Sequence, residues 1–142
     1  MTAYTSHDEV QTAMYNVLCP GGNVDPVLAG LGVTGVFDWQ SVPQNQPYDY
    51  ITIGDGYEIP QDTFDSAGFL YFPTMHIWSR QKNTKNPSLM INRANQFFNR
   101  QSLELESLKS VYSIIYRINW LDGGDGLTLH VAAQYQCYSS QT

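Results

Sequence analysis

Few side chains here could carry chemistry, and their spacing links almost none of them. His7, His76 and His130 fall at a helix start and on two different strands, with no H-x-x-x-H interval to hold a metal, so each reads as a structural histidine. Cys19 and Cys137 lie far apart and form no C-x-x-C, which predicts buried, reduced thiols and neither a zinc knuckle nor a disulfide scaffold. Gly54-Asp55-Gly56 and Asp122-Gly123-Gly124-Asp125-Gly126 look like fragments of calcium loops. Neither fits D-x-[DN]-x-[DN]-G with a later Glu, and turn formation accounts for both. The chain has no G-x-S-x-G elbow, no P-loop and no G-x-G-x-x-G opening a helix. Glu104 and Glu106 could pair for general acid–base work, but on an alternating strand they would share one face turned to solvent or to a partner. The sequence therefore predicts no catalytic set, no cofactor and no metal. A small hydrolase or metal-binding enzyme resting on Asp122 and Asp125 is the alternative of a different class.

The elements that would position these groups follow from periodicity. Ser6-His7-Asp8-Glu9 matches the S-x-x-E capping box, with Glu9 reaching back to the cap's own N–H. Val10, Ala13, Met14, Val17 and Leu18 then recur at helical steps until Cys19-Pro20-Gly21-Gly22 stops them. A Gly/Pro-rich stretch from 20 to 35 holds a turn of helix at 25 to 31 and leads to a short strand at 33 to 39. Tyr48 to Ile53 predicts a buried strand ended by Gly54-Asp55-Gly56, with residues 54 to 69 as a long surface arm. Leu70 to Ser79 follows as a strand with a proline near its start.

Asn86-Pro87 opens a second helix running to about Arg100, with Met90, Ala94, Phe97 and Phe98 as its buried stripe. LELESL at 103 to 108 reads as a short strand. Between 112 and 120 the even positions Tyr112, Ile114, Tyr116, Ile118 and Trp120 form one apolar face, and 127 to 137 alternates likewise. The glycines between these runs predict an antiparallel hairpin. The order helix, strands, helix, strands predicts one domain over residues 1-142 of the α+β class, with a mixed, mostly antiparallel sheet and helices packed on one face.

Composition narrows the function. A chain of 142 residues, 42% hydrophobic and 13% aromatic, can bury about two thirds of its surface, and no run approaches the roughly 18 apolar residues of a membrane helix. MTAYTSHDEV holds no basic segment followed by an apolar one, so Sec-type secretion is not predicted. Only 14% of residues are charged, against about 25% in an ordinary soluble domain, and the net charge is −6. Such a chain is poorly suited to gripping a phosphate backbone. The basic residues Arg80, Lys82 and Lys85 gather in one loop, and the acidic Asp55, Glu58, Asp62 and Asp65 on the arm. Either both are solvated loops, or the acidic arm of one copy meets the basic loop of the next and fixes register. Contacts of that heterologous kind close into rings when the rotation permits. Ten Tyr, three Trp and six Phe among so few charges suit a protein buried in an assembly.

One ordered set of segments resembles a known family. PYDYITIGDG (47 to 56), then Ile59-Pro60, then FPTMHIWSR (72 to 80) is similar to the "P-Y-V-T-I-G... H-x-W-S-R" signature of the tail-completion proteins of long-tailed phages, also called tail terminators or tail-to-head joining proteins. The likeness continues through the helix at 87 to 100, the LELE stretch and the closing hairpin to QYQCY (134 to 138). The resemblance implies a virion protein of the tail or neck, assembled in the host cytoplasm into a homo-oligomeric ring, a hexamer, at the head-proximal end of the tail. Its partners would be the tail tube protein and the head connector or neck protein, with DNA passing through the ring without specific binding. No enzymatic activity and no membrane are implied. A neck or head-completion protein of a phage or phage-like particle is the neighbouring alternative.

Overall fold

The computed structural model describes residues 5–62 and 68–140. Three helices, α1 (His7–Leu18), α2 (Pro26–Gly30) and α3 (Lys85–Phe98), accompany five strands, β1 (Val36–Asp38), β2 (Tyr50–Pro60), β3 (Gly68–Ser79), β4 (Lys109–Asp122) and β5 (Leu129–Ser140). The strands pair in the order β1-β2-β3-β5-β4. β1 runs parallel to β2, and every other pair is antiparallel. This is the α+β architecture the element order predicts.

Alternation decides which face the helices cover. Ile51 and Ile53 of β2, Met75 and Ile77 of β3, and Val131, Ala133 and Tyr135 of β5 share one buried cluster with Val10, Met14 and Leu18 of α1 and Met90, Ala94 and Phe98 of α3. Tyr135 is fully buried at the centre of this layer, and its hydroxyl donates to Asn95 Oδ1 of α3 at 2.7 Å. Cys19 and Cys137 are buried and free, and burial raises both thiols, that of Cys137 to about 11, so neither is a thiolate at neutral pH.

Several expectations are corrected. Gly54-Asp55-Gly56 does not end β2. Positive φ at Gly54 (112°) and Gly56 (144°) makes a bulge between Thr52 and Asp55, after which pairing with β3 resumes and runs to Pro60. The expected arm is thus mostly the extension of a long hairpin. Pro73, in mid-strand, lies opposite Gly56 in this irregular stretch. The even-numbered apolar face of β4 also splits. A register shift between Ile115 and Arg117 leaves Tyr112, Ile114 and Tyr116 on the helix-free face, while Ile118 and Trp120 pair with the core residues Ala133 and Val131.

Residues 103 to 108 form no strand. The end of this segment is held instead by Glu9, whose carboxylate accepts from Ser107 N at 2.6 Å, Ser107 Oγ at 2.5 Å and Leu108 N at 3.2 Å. Glu9 therefore does not close a capping box, and the Ser6 hydroxyl and amide donate to Glu58. α3 begins at Lys85 with Thr84 as its cap, slightly earlier than Asn86-Pro87 suggests, because Asn83 Oδ1 accepts from Asn86 N at 3.1 Å. α2 is capped by Asp25, and that carboxylate also takes Arg93 of α3 through two contacts of 2.9 Å.

A β-carbon on Gly56 would stand 2.1 Å from the Phe72 carbonyl oxygen, whereas at Gly124, also at positive φ, it meets open space. Gly56→Ala should cost about 3 kcal/mol or more, and Gly124→Ala about 1 kcal/mol. Urea denaturation of both variants checks this, and equal losses would contradict the bulge's role.

Candidate functional site

The helix-free face brings three titratable side chains into direct contact. Asp55 enters it from the β2 bulge, His76 from β3 and His130 from β5, where pairing of His76 with Ala132 and Trp78 with His130 brings the two imidazoles side by side. His76 Nε2 lies 2.5 Å from Asp55 Oδ2, and His76 Nδ1 lies 2.6 Å from His130 Nε2. A carboxylate only accepts, so Nε2 of His76 donates to it, and in a neutral His76 the Nδ1 accepts from His130 Nε2–H. Trp78 stacks on His130 with centroids 3.9 Å apart and planes at 10°, and its indole N–H donates to Thr52 Oγ1 at 3.2 Å.

Sequence spacing does not show this relay, because 54 residues separate His76 from His130 and only strand register joins them. An Asp–His pair of this kind can orient an imidazole as a base. Among the described residues, however, no Ser, Thr or Cys side chain is hydrogen-bonded to either ring. The same face continues in an aromatic row, Tyr57 stacked on Phe72 at 4.5 Å and Phe72 edge-on to Tyr116 at 5.3 Å.

The charged residues expected to form an interface are distributed differently from the two facing loops the sequence suggests. Asp55 is engaged by His76, and Glu58, on the opposite side of β2, accepts from Thr5 Oγ1 and Ser6. Asp62 accepts from Gly68 N at 3.3 Å, and Asp65 lies outside the described residues. Arg80 follows β3 and clamps the β4–β5 hairpin: its Nε donates to Thr128 Oγ1 at 3.0 Å, its NH2 group meets Asp125 at 3.2 Å, and its guanidinium lies 4.1 Å over the Tyr48 ring. Lys82 and Lys85 are exposed and have no acidic partner among the described residues. The length of β3 keeps Asp62 and these lysines at opposite ends of the sheet, so one copy cannot bring them together.

Both aspartates of the 122 to 126 link serve the turn. Asp122 Oδ1 accepts from Gly124 N, and Asp125 accepts from Leu127 N, Thr128 N and Thr128 Oγ1. The Leu127 amide, then Thr128 and Arg80, hold the Asp125 carboxyl well below the usual carboxylate range. Sequence reasoning missed Asp49, which is buried and accepts from Ser79 Oγ at 2.8 Å, Arg80 N at 2.9 Å and Gln81 Nε2 at 2.6 Å. It shapes the turn that leaves β3. No helix among the described residues is long and apolar enough to cross a membrane.

Burial, then the neighbouring His76, lowers the pKa of His130, with Asp55 opposing. An unfolded chain then takes up a proton that the folded one refuses, so this contribution to stability is whole above the ordinary value of 6.5 and is lost as pH falls below it. Thermal melts taken from about pH 7.5 down to about pH 5 should show falling stability, with a flatter profile in His130→Gln. Identical slopes for the two proteins would contradict the assignment.

No protein-family model matches the chain, and no curated protein matches it. Among solved structures, it is similar to a chain from the virion of a native gene transfer agent (GTA) particle. The TM-score is 0.85 at 16% identity, covering 97% of this chain and 99% of that one. At that identity the two share a fold, end to end.

Proposed function

We propose that this protein is a structural component of a phage-like virion, and specifically a tail terminator. It acts as a ring at the head-proximal end of the tail, stops growth of the tube and joins tail to head. The observation that carries this reading is the end-to-end likeness to a chain of a gene transfer agent virion. The resemblance of PYDYITIGDG and FPTMHIWSR to the tail-completion signature narrows it to the tail end.

The physical mechanism is occupation of a surface. A terminal tube ring exposes an unsatisfied assembly face, and a ring of this chain covers that face while presenting a different one, so growth ends by geometry. Contact between copies, not reactive side chains, does the work. The scarcity of cations and the net charge of −6 suit a passage through which DNA slides without being held.

A neck or head-completion protein is the second reading, since the likeness is to a chain of a whole virion and does not single out its tail. Cells producing particles without this protein should accumulate tails of abnormal length, or tails unattached to heads, visible by negative-stain electron microscopy. Purified protein added back should bind isolated tubes before heads. Binding to filled heads alone favours the neck reading, and normal infectious particles made in its absence overturn both.

A further inference from the structure

Charge is scarce in this chain, which makes the position of its unpaired groups informative. Arg80 and Arg93 are taken by Asp125 and Asp25. Lys82, Lys85, Arg100 and Arg117 have no such partner among the described residues, and of these Lys82 and Lys85 stand together at one end of the sheet beside a groove floored by Trp120, Leu121, Leu127 and Leu129. Lys82 lines that groove, and Lys85 follows Thr84, which also lines it. Trp120, Leu121 and Leu127 are 44%, 44% and 51% exposed, an unusual amount of large apolar surface to leave in water. The Arg80 contacts to Asp125 and Thr128 fix the hairpin that presents it.

The acids show the reverse pattern. Glu9, Asp25, Asp38, Asp49, Asp55, Glu58, Asp62, Asp122 and Asp125 each accept a hydrogen bond within the chain. The described carboxylates left over are Asp8, Glu104 and Glu106, and all three line one groove between α1 and the segment preceding β4. That groove adjoins Ser107 and Leu108, where β4 begins, while the apolar groove lies where β4 ends. At about 3.3 Å per residue β4 spans roughly 40 Å, which keeps the two grooves toward its opposite ends. A single copy cannot join them, but a second copy set head to tail can.

We propose that copies of this chain associate head to tail, with the Glu104–Glu106 ridge of one seated in the Lys82–Trp120–Leu127 groove of the next. The proposal rests on the ring reading above and names its contact. The lysines at the rim select the acidic ridge and set register, while Trp120 supplies the desolvated anchor. Such a contact uses two different surfaces of the same chain, so it repeats around a ring and closes where the rotation permits.

Sedimentation velocity of the full chain tests this. Wild type should associate with rising concentration. Lys82→Glu with Lys85→Glu, and separately Glu104→Lys with Glu106→Lys, should each weaken association at least about tenfold. Trp120→Ala should weaken it about 30-fold. All these side chains are exposed, and circular dichroism of each variant checks that it folds. The decisive arm is an equimolar mixture of the two charge-reversed proteins, in which a groove of one again faces a ridge of opposite charge on the other, and association should return. Rings that persist through both reversals, or a mixture that fails to recover, overturn this contact while leaving the ring reading standing. A wild type that stays monomeric at hundreds of micromolar also overturns the contact, and the virion role is then judged separately by tail length and head attachment.

Discussion

Three helices cover one face of this five-stranded sheet and leave the other to something else. The core that holds the chain together lies on the covered side, where Tyr135, Met75, Ile77, Ile51, Leu18 and Phe98 are essentially without exposure. The helix-free side is furnished differently, with the Asp55–His76–His130 relay at one end and the Tyr57–Phe72–Tyr116 row at the other. Bulges in β2 and β4 are what allow this division. Each shifts the side-chain parity of its strand: β4 meets the core with Ile115 before the shift and Ile118 after it, whereas beyond its bulge β2 leaves the core and turns Glu58 toward the start of α1.

The second constraint is the scarcity of charge. With 14% charged residues, the chain uses most of its carboxylates as structural pins: Asp25 between α2 and α3, Glu9 on the 107 to 108 turn, Glu58 at the start of α1, Asp49 at the exit of β3 and Asp125 in the last hairpin. Each of these ties an element end that backbone pairing alone leaves loose. Lys82 and Lys85 at one end of β4, and Glu104 and Glu106 at the other, are exposed and without an ion-pair partner among the described residues.

Much of the fold is legible in the residues, and the misses share one cause. Helical steps in Val10-Ala13-Met14-Leu18 and Met90-Ala94-Phe98, period-two alternation in β5, and the glycines of 122 to 126 are local signals, and the elements they mark are present. The failures are choices between a local partner and a distant one. Glu9 could close a capping box but meets Ser107, and Ser6 could cap its helix but meets Glu58. The glycines around Asp55 could end a strand but instead bulge it, because β3 continues alongside. Likewise Arg80 reads as a free cation until the hairpin is folded against it, and the two histidines become a pair only through strand register. Local spacing does not show which distant group each of these side chains meets.

In the proposed role this chain works as a shaped closure, one ring per tail, built from contacts between its own copies. A cryo-electron microscopy reconstruction of the intact particle measures that directly. The expected result is one closed ring of this chain between the last tube ring and the head connector, with its strand ends at the joints between copies. Finding the chain repeated along the tube, or absent from the particle, would contradict it.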